Sequence, residues 1–407
     1  MSLLLNEYTD NISSINFANS DLILTRYLYI KDEVKVALLL SLLDKKDDAI
    51  FWVYELYMSG FKQETFNYLW QIYYDFYATL NPTFEEYFIK KHNEWIENGC
   101  KNDFIIGIII KNLLVRQSNT DIFMLRNICE QFEIEIEYKD KDQLIPIDSY
   151  QLLLENIRYW IENEDYRSLA QNILYPSIDY NYTILYTDCL HIIENMKVIT
   201  NFKKNNLIRA FVSSLKIPIN PKIVLLTKLI ELCTRIKEIK QGKSKYLSID
   251  ENELIPICET LITNNYTDNK AYRCLKNAYI CGINEVAMIS LFKLVRNKYN
   301  QKDLKNKWLN NWLFYASFSS IWFNRIKIYD GNINYTTKKI DFNNEDLMEE
   351  FYSQYDYEPD EQSIYIQDKA IGSFQGDNNW IQFQKKYNSE EKGIFQPYEE
   401  ELEQLVI

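Results

Sequence analysis

The chain has 407 residues, which at about 100–200 residues per domain suggests two or three domains; 47% of residues are apolar, 25% are charged, and the net charge is −13. Nine glycines and eight prolines exclude a collagen-like or low-complexity chain and disfavour a glycine-cradled nucleotide fold. Thirty-five lysines against ten arginines, with 32 tyrosines and 21 phenylalanines, point to an A/T-rich genome, so a lysine in place of an arginine reports codon usage as readily as a site.

The run Leu3-Leu4-Leu5 lacks a basic flank and meets Asn6 and Glu7 at once, so no secretory signal is expected. Asp47-Asp48 offer N-caps to a helix that is apolar on most faces from Ile50 to Met58, and Gly60 supplies its stop. From Glu64 to Leu80 the residues Phe66, Leu69, Trp70, Tyr73, Phe76 and Tyr77 recur at three- and four-residue steps, which predicts a helix ended by Asn81-Pro82. Thr83 with Glu86 reads as a capping box for a helix to Glu97. The apolar stretch Phe104 to Ile110 is far shorter than the roughly 20 residues that span a bilayer, so it reads as a buried helix and no membrane partner is expected. Helical periodicity continues over 103–115, 119–131, 149–163, 165–174, 182–196, 204–216, 221–240, 251–263, 269–281, 284–299 and 303–323.

Two regions depart from it. Phe132, Ile134, Ile136 and Tyr138 alternate with Glu133, Glu135, Glu137 and Lys139, a period of two that predicts a half-buried strand. Asp330-Gly331, between Ile326-Lys327-Ile328-Tyr329 and the alternating Ile333, Tyr335 and Thr337, predicts a β-hairpin turn. The expected fold is predominantly α, a stack of antiparallel helices with a small mixed α/β C-terminal region. The expected division is an acidic helical unit over 1–140, a basic helical unit over 147–325 and an acidic mixed region over 326–407.

Charge supports that division. Residues 1–202 carry 17 Lys/Arg against 31 Asp/Glu, residues 203–328 carry 22 against 9, and residues 329–407 carry 6 against 18. The net values are −14, +13 and −12.

The segment Lys46 to Pro82, with Asp47-Asp48-Ala49-Ile50-Phe51-Trp52-Val53-Tyr54-Glu55-Leu56-Tyr57-Met58-Ser59-Gly60 followed by Tyr68-Leu69-Trp70-Gln71-Ile72-Tyr73-Tyr74-Asp75-Phe76-Tyr77, resembles uncharacterised helical proteins of nucleocytoplasmic large DNA viruses, the giant viruses. Tyr357-Glu358-Pro359-Asp360-Glu361-Gln362 is similar to their C-terminal parts. The resemblance implies a viral protein acting in the host cytoplasm. It carries over no activity and no catalytic residue.

Candidate sites follow from clustering. Arg235, Lys237, Lys240, Lys243 and Lys245 gather near Gly242, and Lys293, Arg296, Lys298, Lys302, Lys305 and Lys307 gather around Tyr299 and Trp308. Basic side chains among aromatics can neutralise phosphates and stack bases, or they can face an acidic protein or this chain's own acidic segments. Trp308, Trp312, Tyr315 and Trp322 at helical steps read first as core. Asp188, His191 and Glu194 share one helical face and could offer O, N and O ligands, yet they equally form the wet side of an amphipathic helix. His92, in a polar run, reads as exposed. Pro359-Asp360 with Glu390-Glu391-Lys392 superficially matches the carboxylate and lysine set of a Mg²⁺-dependent nuclease, which would want them on adjoining strands. In the acidic tail, Phe395, Tyr398, Leu402 and Leu405 could dock on a partner's groove or on a basic face of the same chain. Seven cysteines without a C-x-x-C pair read as reduced, buried thiols of a cytoplasmic protein.

No G-x-G-x-x-G, G-x-x-x-x-G-K-[ST] or G-x-S-x-G motif is present, and no metal or cofactor is expected. The leading expectation is a non-enzymatic helical scaffold or adaptor that binds other proteins. The alternative is a nucleic-acid-binding accessory protein acting on RNA or DNA through residues 203–328, and a metal-dependent nuclease is a distant third.

Overall fold

The computed structural model describes residues 22–138, 147–196, 203–242, 246–250, 252–254, 290–355, 358–372, 379–388 and 391–405. The fold is predominantly α, and a two-stranded antiparallel hairpin forms the sheet among the described residues. In chain order the helices are α1 (Lys31–Leu43), α2 (Asp48–Met58), α3 (Lys62–Ile72), α4 (Phe84–Glu97), α5 (Phe104–Leu114), α6 (Asp121–Tyr138), α7 (Tyr150–Glu162), α8 (Tyr166–Leu174), α9 (Tyr182–Asn195), α10 (Lys204–Ser214) and α11 (Pro221–Ile236). After them come α12 (Gln301–Lys305), α13 (Trp312–Ala316), α14 (Ser320–Ile328), the strands β1 (Gly331–Asn334) and β2 (Lys339–Phe342), then α15 (Glu345–Gln354), α16 (Ile364–Ile371), α17 (Trp380–Tyr387) and α18 (Glu399–Gln404).

Asparagine does much of the capping. Asn181 takes the N–H of Thr183 and Ile184, Asn220 that of Lys222 with Pro221 at the first helical position, and Asn300, Asn344 and Asn379 cap α12, α15 and α17 in the same way. Each such bond satisfies one of the orphan donors of a helix start.

The chain forms two compact units, each drawn from separated stretches: 1–65, 106–110 and 249–378 in the first, and 66–105, 111–248 and 379–407 in the second. This grouping runs differently along the sequence from the serial division into 1–140, 147–325 and 326–407.

The first unit is built around α1 and α2, which pack as a hairpin joined through residues 44–47. Gly60 ends α2 with φ +98°, and an added Cβ would fall 1.6 Å from Ser320 Oγ, so both conformation and space require glycine there. Buried charges tie distant segments together. Arg26 Nη2 donates to Glu55 Oε2 at 3.1 Å while the Tyr27 N–H donates to Glu55 Oε1 at 2.8 Å. Arg296 Nε and Nη2 donate to the two oxygens of Glu33, at 2.5 and 3.2 Å, and Nη2 also donates to the Ala370 carbonyl at 2.8 Å. Trp308, Trp312, Tyr315 and Trp322 are core, and the Trp322 Nε1–H donates to the Thr25 carbonyl at 3.1 Å.

In the second unit, α3 continues through a π-helical turn, Tyr73–Tyr77, whose five residues are all buried. Asp75 in that turn accepts from Arg126 Nη1 at 3.1 and 3.3 Å. Trp70 stacks on Phe88 at 3.6 Å between ring centres and donates its Nε1–H to His92 Nδ1 at 3.0 Å. The C-terminal segment packs into this unit. Asp121, the first residue of α6, accepts four N–H bonds: from Ile394 N at 3.0 Å, Phe395 N at 3.2 Å, Asn388 Nδ2 at 3.1 Å and Asn119 Nδ2 at 3.2 Å.

Several expectations are corrected. The backbone of residues 132–138 is helical, within α6, rather than a strand. A helix satisfies its own hydrogen bonds, whereas a lone strand here would need an edge to pair with. Asp330 has φ +56° and ends α14, so Asp330-Gly331 is a helix stop. The hairpin turn lies at residues 335–338, where Asn334 Oδ1 takes the N–H of Thr336 and Thr337. Thr83 has helical angles (φ −73°, ψ −17°) and makes no side-chain cap bond, so the capping box does not form. The helix expected over 303–323 is broken into α12, a π turn, α13 and the start of α14. His92 is buried, not exposed, because its ring fills the space between Phe66 and Trp70. Of the helices expected over 251–263, 269–281 and 284–299, residues 251 and 255–289 lie outside the described residues, residues 252–254 are helical, and residues 290–292 and 295–298 form 3₁₀ turns in place of an α-helix.

Two predictions follow from the buried charges. Arg296→Ala strips Glu33 of its guanidinium inside the fold and should cost about 3–5 kcal/mol, read as a lowered denaturant midpoint, whereas Lys293→Ala at an exposed position should change stability by less than about 0.5 kcal/mol. Burial pushes the carboxyls of Glu33, Asp75 and Asp121 up to about 6. Between the ordinary carboxylate value of about 4 and that value, the folded chain holds protons that the unfolded chain has released. Their contribution to stability is therefore full below pH of about 4 and is lost as pH rises through about 6. Denaturant midpoints measured across this window should show that falling component, and Asp75→Asn should reduce it.

Candidate functional site

A cleft of about 750 Å³ opens in the second unit, within the size range of ligand-binding pockets. Helical spacing builds its walls. Lys228, Glu231 and Arg235 of α11 lie at three- and four-residue steps, as do Asn206, Arg209, Ala210 and Ser213 of α10. Glu85, Glu86 and Ile89 come from the start of α4, Tyr186 from α9, and Leu207 of α10 with Pro82, Thr83 and Tyr246 completes the lining.

The floor is a chain of buried polar groups. Tyr74 donates its hydroxyl to Glu85 Oε1, Lys228 Nζ donates to Glu85 Oε2 at 2.5 Å, and the same ammonium lies 3.8 Å from Glu231 Oε2. Glu231 Oε1 in turn accepts from Arg235 Nη2. Burial alone would lower the Lys228 ammonium, but the carboxylates of Glu85 and Glu231 more than offset it and hold it above its ordinary value. Burial, reinforced by the charge on Glu85, pushes the Tyr74 phenol well up, so it remains a donor at neutral pH.

Tyr246 is positioned by its backbone neighbour. Leu247 N donates to Asn112 Oδ1 at 2.9 Å, and Asn112 Nδ2 donates to the Leu247 carbonyl at 3.2 Å. The Tyr246 ring stacks on Tyr87 at 4.4 Å between centres, its hydroxyl donates to the Thr83 carbonyl at 3.1 Å, and it stays 41% exposed.

The residues expected to form sites are redistributed. Of the first basic cluster, Arg235 lines the cleft, Lys237 pairs with Glu164, Lys240 is exposed, and Lys243 and Lys245 lie outside the described residues. The second cluster belongs to the other unit. There Arg296 is buried against Glu33 and cannot meet a phosphate, Lys307 donates to the Tyr315 hydroxyl at 3.0 Å, and Lys305 lies 4.0 Å from Asp368. Lys293, Lys298 and Lys302 remain exposed.

In the tail, Phe395, Leu402 and Leu405 are buried within the second unit and only Tyr398 of the four is open. A partner would have to displace this segment from Asp121, and Arg167 from its ion pair with Glu401. Asp188 accepts from the Tyr150 hydroxyl at 2.7 Å, while Lys204 Nζ sits 2.9 Å from His191 Nδ1 and pairs with Glu194, placing a side-chain cation where a metal would have to sit. Asp360 lies in a 3₁₀ turn of the first unit, Glu391 and Lys392 fall in the second, none of the three is on a strand, and Glu390 is outside the described residues. Burial pushes the Cys233 thiol up to about 12 and the Cys189 thiol further, which suppresses the reactive thiolate. Cys258, Cys274 and Cys281 lie outside the described residues.

Glu85, Glu231, Arg209 and Tyr246 were not singled out from the sequence. The i, i+3, i+7 spacing of Lys228, Glu231 and Arg235 is visible there, but nothing in it marks Glu85 as the partner across 143 residues. Among the described residues no helix is long and apolar enough to cross a membrane. No protein-family model, curated protein or solved structure matches the chain.

Lys228→Met leaves Glu85 and Glu231 without the cation they share, and should cost about 3–5 kcal/mol in denaturant unfolding. Adding Glu85→Gln to that variant should recover part of the loss, a coupling that a double-mutant cycle reads directly.

Proposed function

We propose that the chain is a non-enzymatic helical adaptor that holds a partner protein through the cleft of its second unit. The observation that carries this reading is the pairing of Glu85, Lys228, Glu231 and Arg235 beneath an open cavity. Charges already matched to one another hold a shaped surface in place, and a preformed surface binds without the cost of ordering it. The resemblance of residues 46–82 to giant-virus proteins supports placing this role in the cytoplasm of an infected cell.

The nucleic-acid reading is left with less support. With Arg296 withdrawn and Lys305 and Lys307 engaged, the exposed Lys293 and Lys302 could neutralise roughly two phosphates, which corresponds to a weak and salt-sensitive contact.

Affinity purification of the tagged chain from infected cells, with nuclease treatment, should retain specific proteins, and the cleft-rim double variant Glu86→Lys/Arg209→Glu should lose them. Recovery of nucleic acid alone, lost on reversing Lys293 and Lys302, would replace the adaptor reading with the nucleic-acid one.

A further inference from the structure

We propose that the cleft of the second unit recognises a single oxyanion, a carboxylate or phosphate carried on a ring-bearing ligand, through Arg209 and Arg235. The inference rests on the adaptor reading for its biological setting but is tested on the isolated chain.

The charges of the lining lead to this assignment. Glu85 is occupied by the Tyr74 hydroxyl and Lys228, and Glu231 by Lys228 and Arg235. Arg235 spends Nη2 on Glu231 and its Nε is buried without a partner; its Nη1 donates no hydrogen bond among the described residues, and the side chain is 33% exposed. Arg209, one helix away on α10, is exposed in the same lining and has neither a hydrogen bond nor an ion pair among the described residues. A guanidinium carries five donors in a planar fork that matches the oxygens of a carboxylate or phosphate. Two such groups with donors to spare, bordering one cavity, form the basic side of a site whose acids are already engaged.

The same lining limits what the ligand can be. It holds three acids, Glu85, Glu86 and Glu231, and three bases, Arg209, Lys228 and Arg235. With no net positive field, the cleft does not draw in a polyanion, so a nucleic acid backbone is disfavoured and one anionic group is favoured. The Tyr246 ring, stacked on Tyr87, together with Pro82, Ile89 and Leu207, gives the same lining a flat and apolar part. That part suits an aromatic ring on the ligand that carries the anion.

Phenyl phosphate and benzoate represent a free small molecule, and a phosphotyrosine peptide with its unphosphorylated form represents a protein segment. Calorimetric titration of the full chain should show the anionic probes binding at least about tenfold more tightly than benzyl alcohol. Binding should weaken about tenfold in Arg209→Ala, an exposed position whose loss leaves the fold intact, and further in Arg209→Glu. A phosphopeptide bound more tightly than phenyl phosphate assigns the anion to a partner protein, and the reverse order assigns it to a small molecule; either supports the site. Benzyl alcohol binding as well as the anions, affinity unchanged in Arg209→Ala, or no binding of any anionic probe would overturn it. Such a failure with protein partners still recovered from cells would leave the adaptor reading standing, while anion binding without partners would remove the adaptor reading alone.

Discussion

Taking a carboxylate or an ammonium out of water costs several kcal/mol, and the fold recovers that cost when an opposite charge or a set of hydrogen-bond donors is delivered to the same spot. In this protein the deliveries come from far along the chain. Lys228 reaches Glu85 across 143 residues, Arg296 reaches Glu33 across 263, and Arg126 reaches Asp75 across 51. Each pair fixes which faces of its helices turn inward, because a helix rotated by one position would leave a charge stranded. In the second unit this constraint also shapes the cleft: α4 and α11 meet through Glu85 and Lys228, and the next turn of α11 places Glu231 and Arg235 beside them.

Asp121 applies the same requirement to the C-terminal segment, with neutral donors instead of a cation. Four N–H groups converge on one buried carboxylate, two of them from the backbone of Ile394 and Phe395. Its place at the start of α6 adds the favourable end of the helix dipole. With Phe395, Leu402 and Leu405 buried in the same unit, the acidic tail is part of the fold and leaves Tyr398 as its open aromatic.

Much of the helical architecture is legible in the sequence. The stripe from Phe66 to Tyr77, the apolar run at Phe104 and the stop at Gly60 all lie in elements close to those expected, since apolar periodicity and a glycine terminus act over a few residues. Residues 132–138 misled because Ile and Glu in alternation satisfy a two-residue period on paper, while the backbone continues α6 and, among the described residues, pairs with no strand. Asp330-Gly331 misled because the same dipeptide that turns a hairpin also ends a helix, both needing φ > 0. The scarcity of arginine is itself a signal. In a chain with ten arginines, Arg26, Arg116, Arg296 and Arg325 are buried, where a planar group with five donors does what a lysine cannot.

Sequence alone determined the helical class, the places where most helices start, and the spacing that puts Lys228, Glu231 and Arg235 on one face, because all of these depend on neighbours within a turn or two. Only the tertiary structure decided which basic residues are available. The middle segment reads as +13, yet Arg296 is sealed against Glu33, Lys228 is consumed by Glu85 and Glu231, and Arg209 and Arg235 keep donors to spare. Net charge sums side chains without regard to position, whereas what a partner meets depends on which charges the fold has already neutralised and buried.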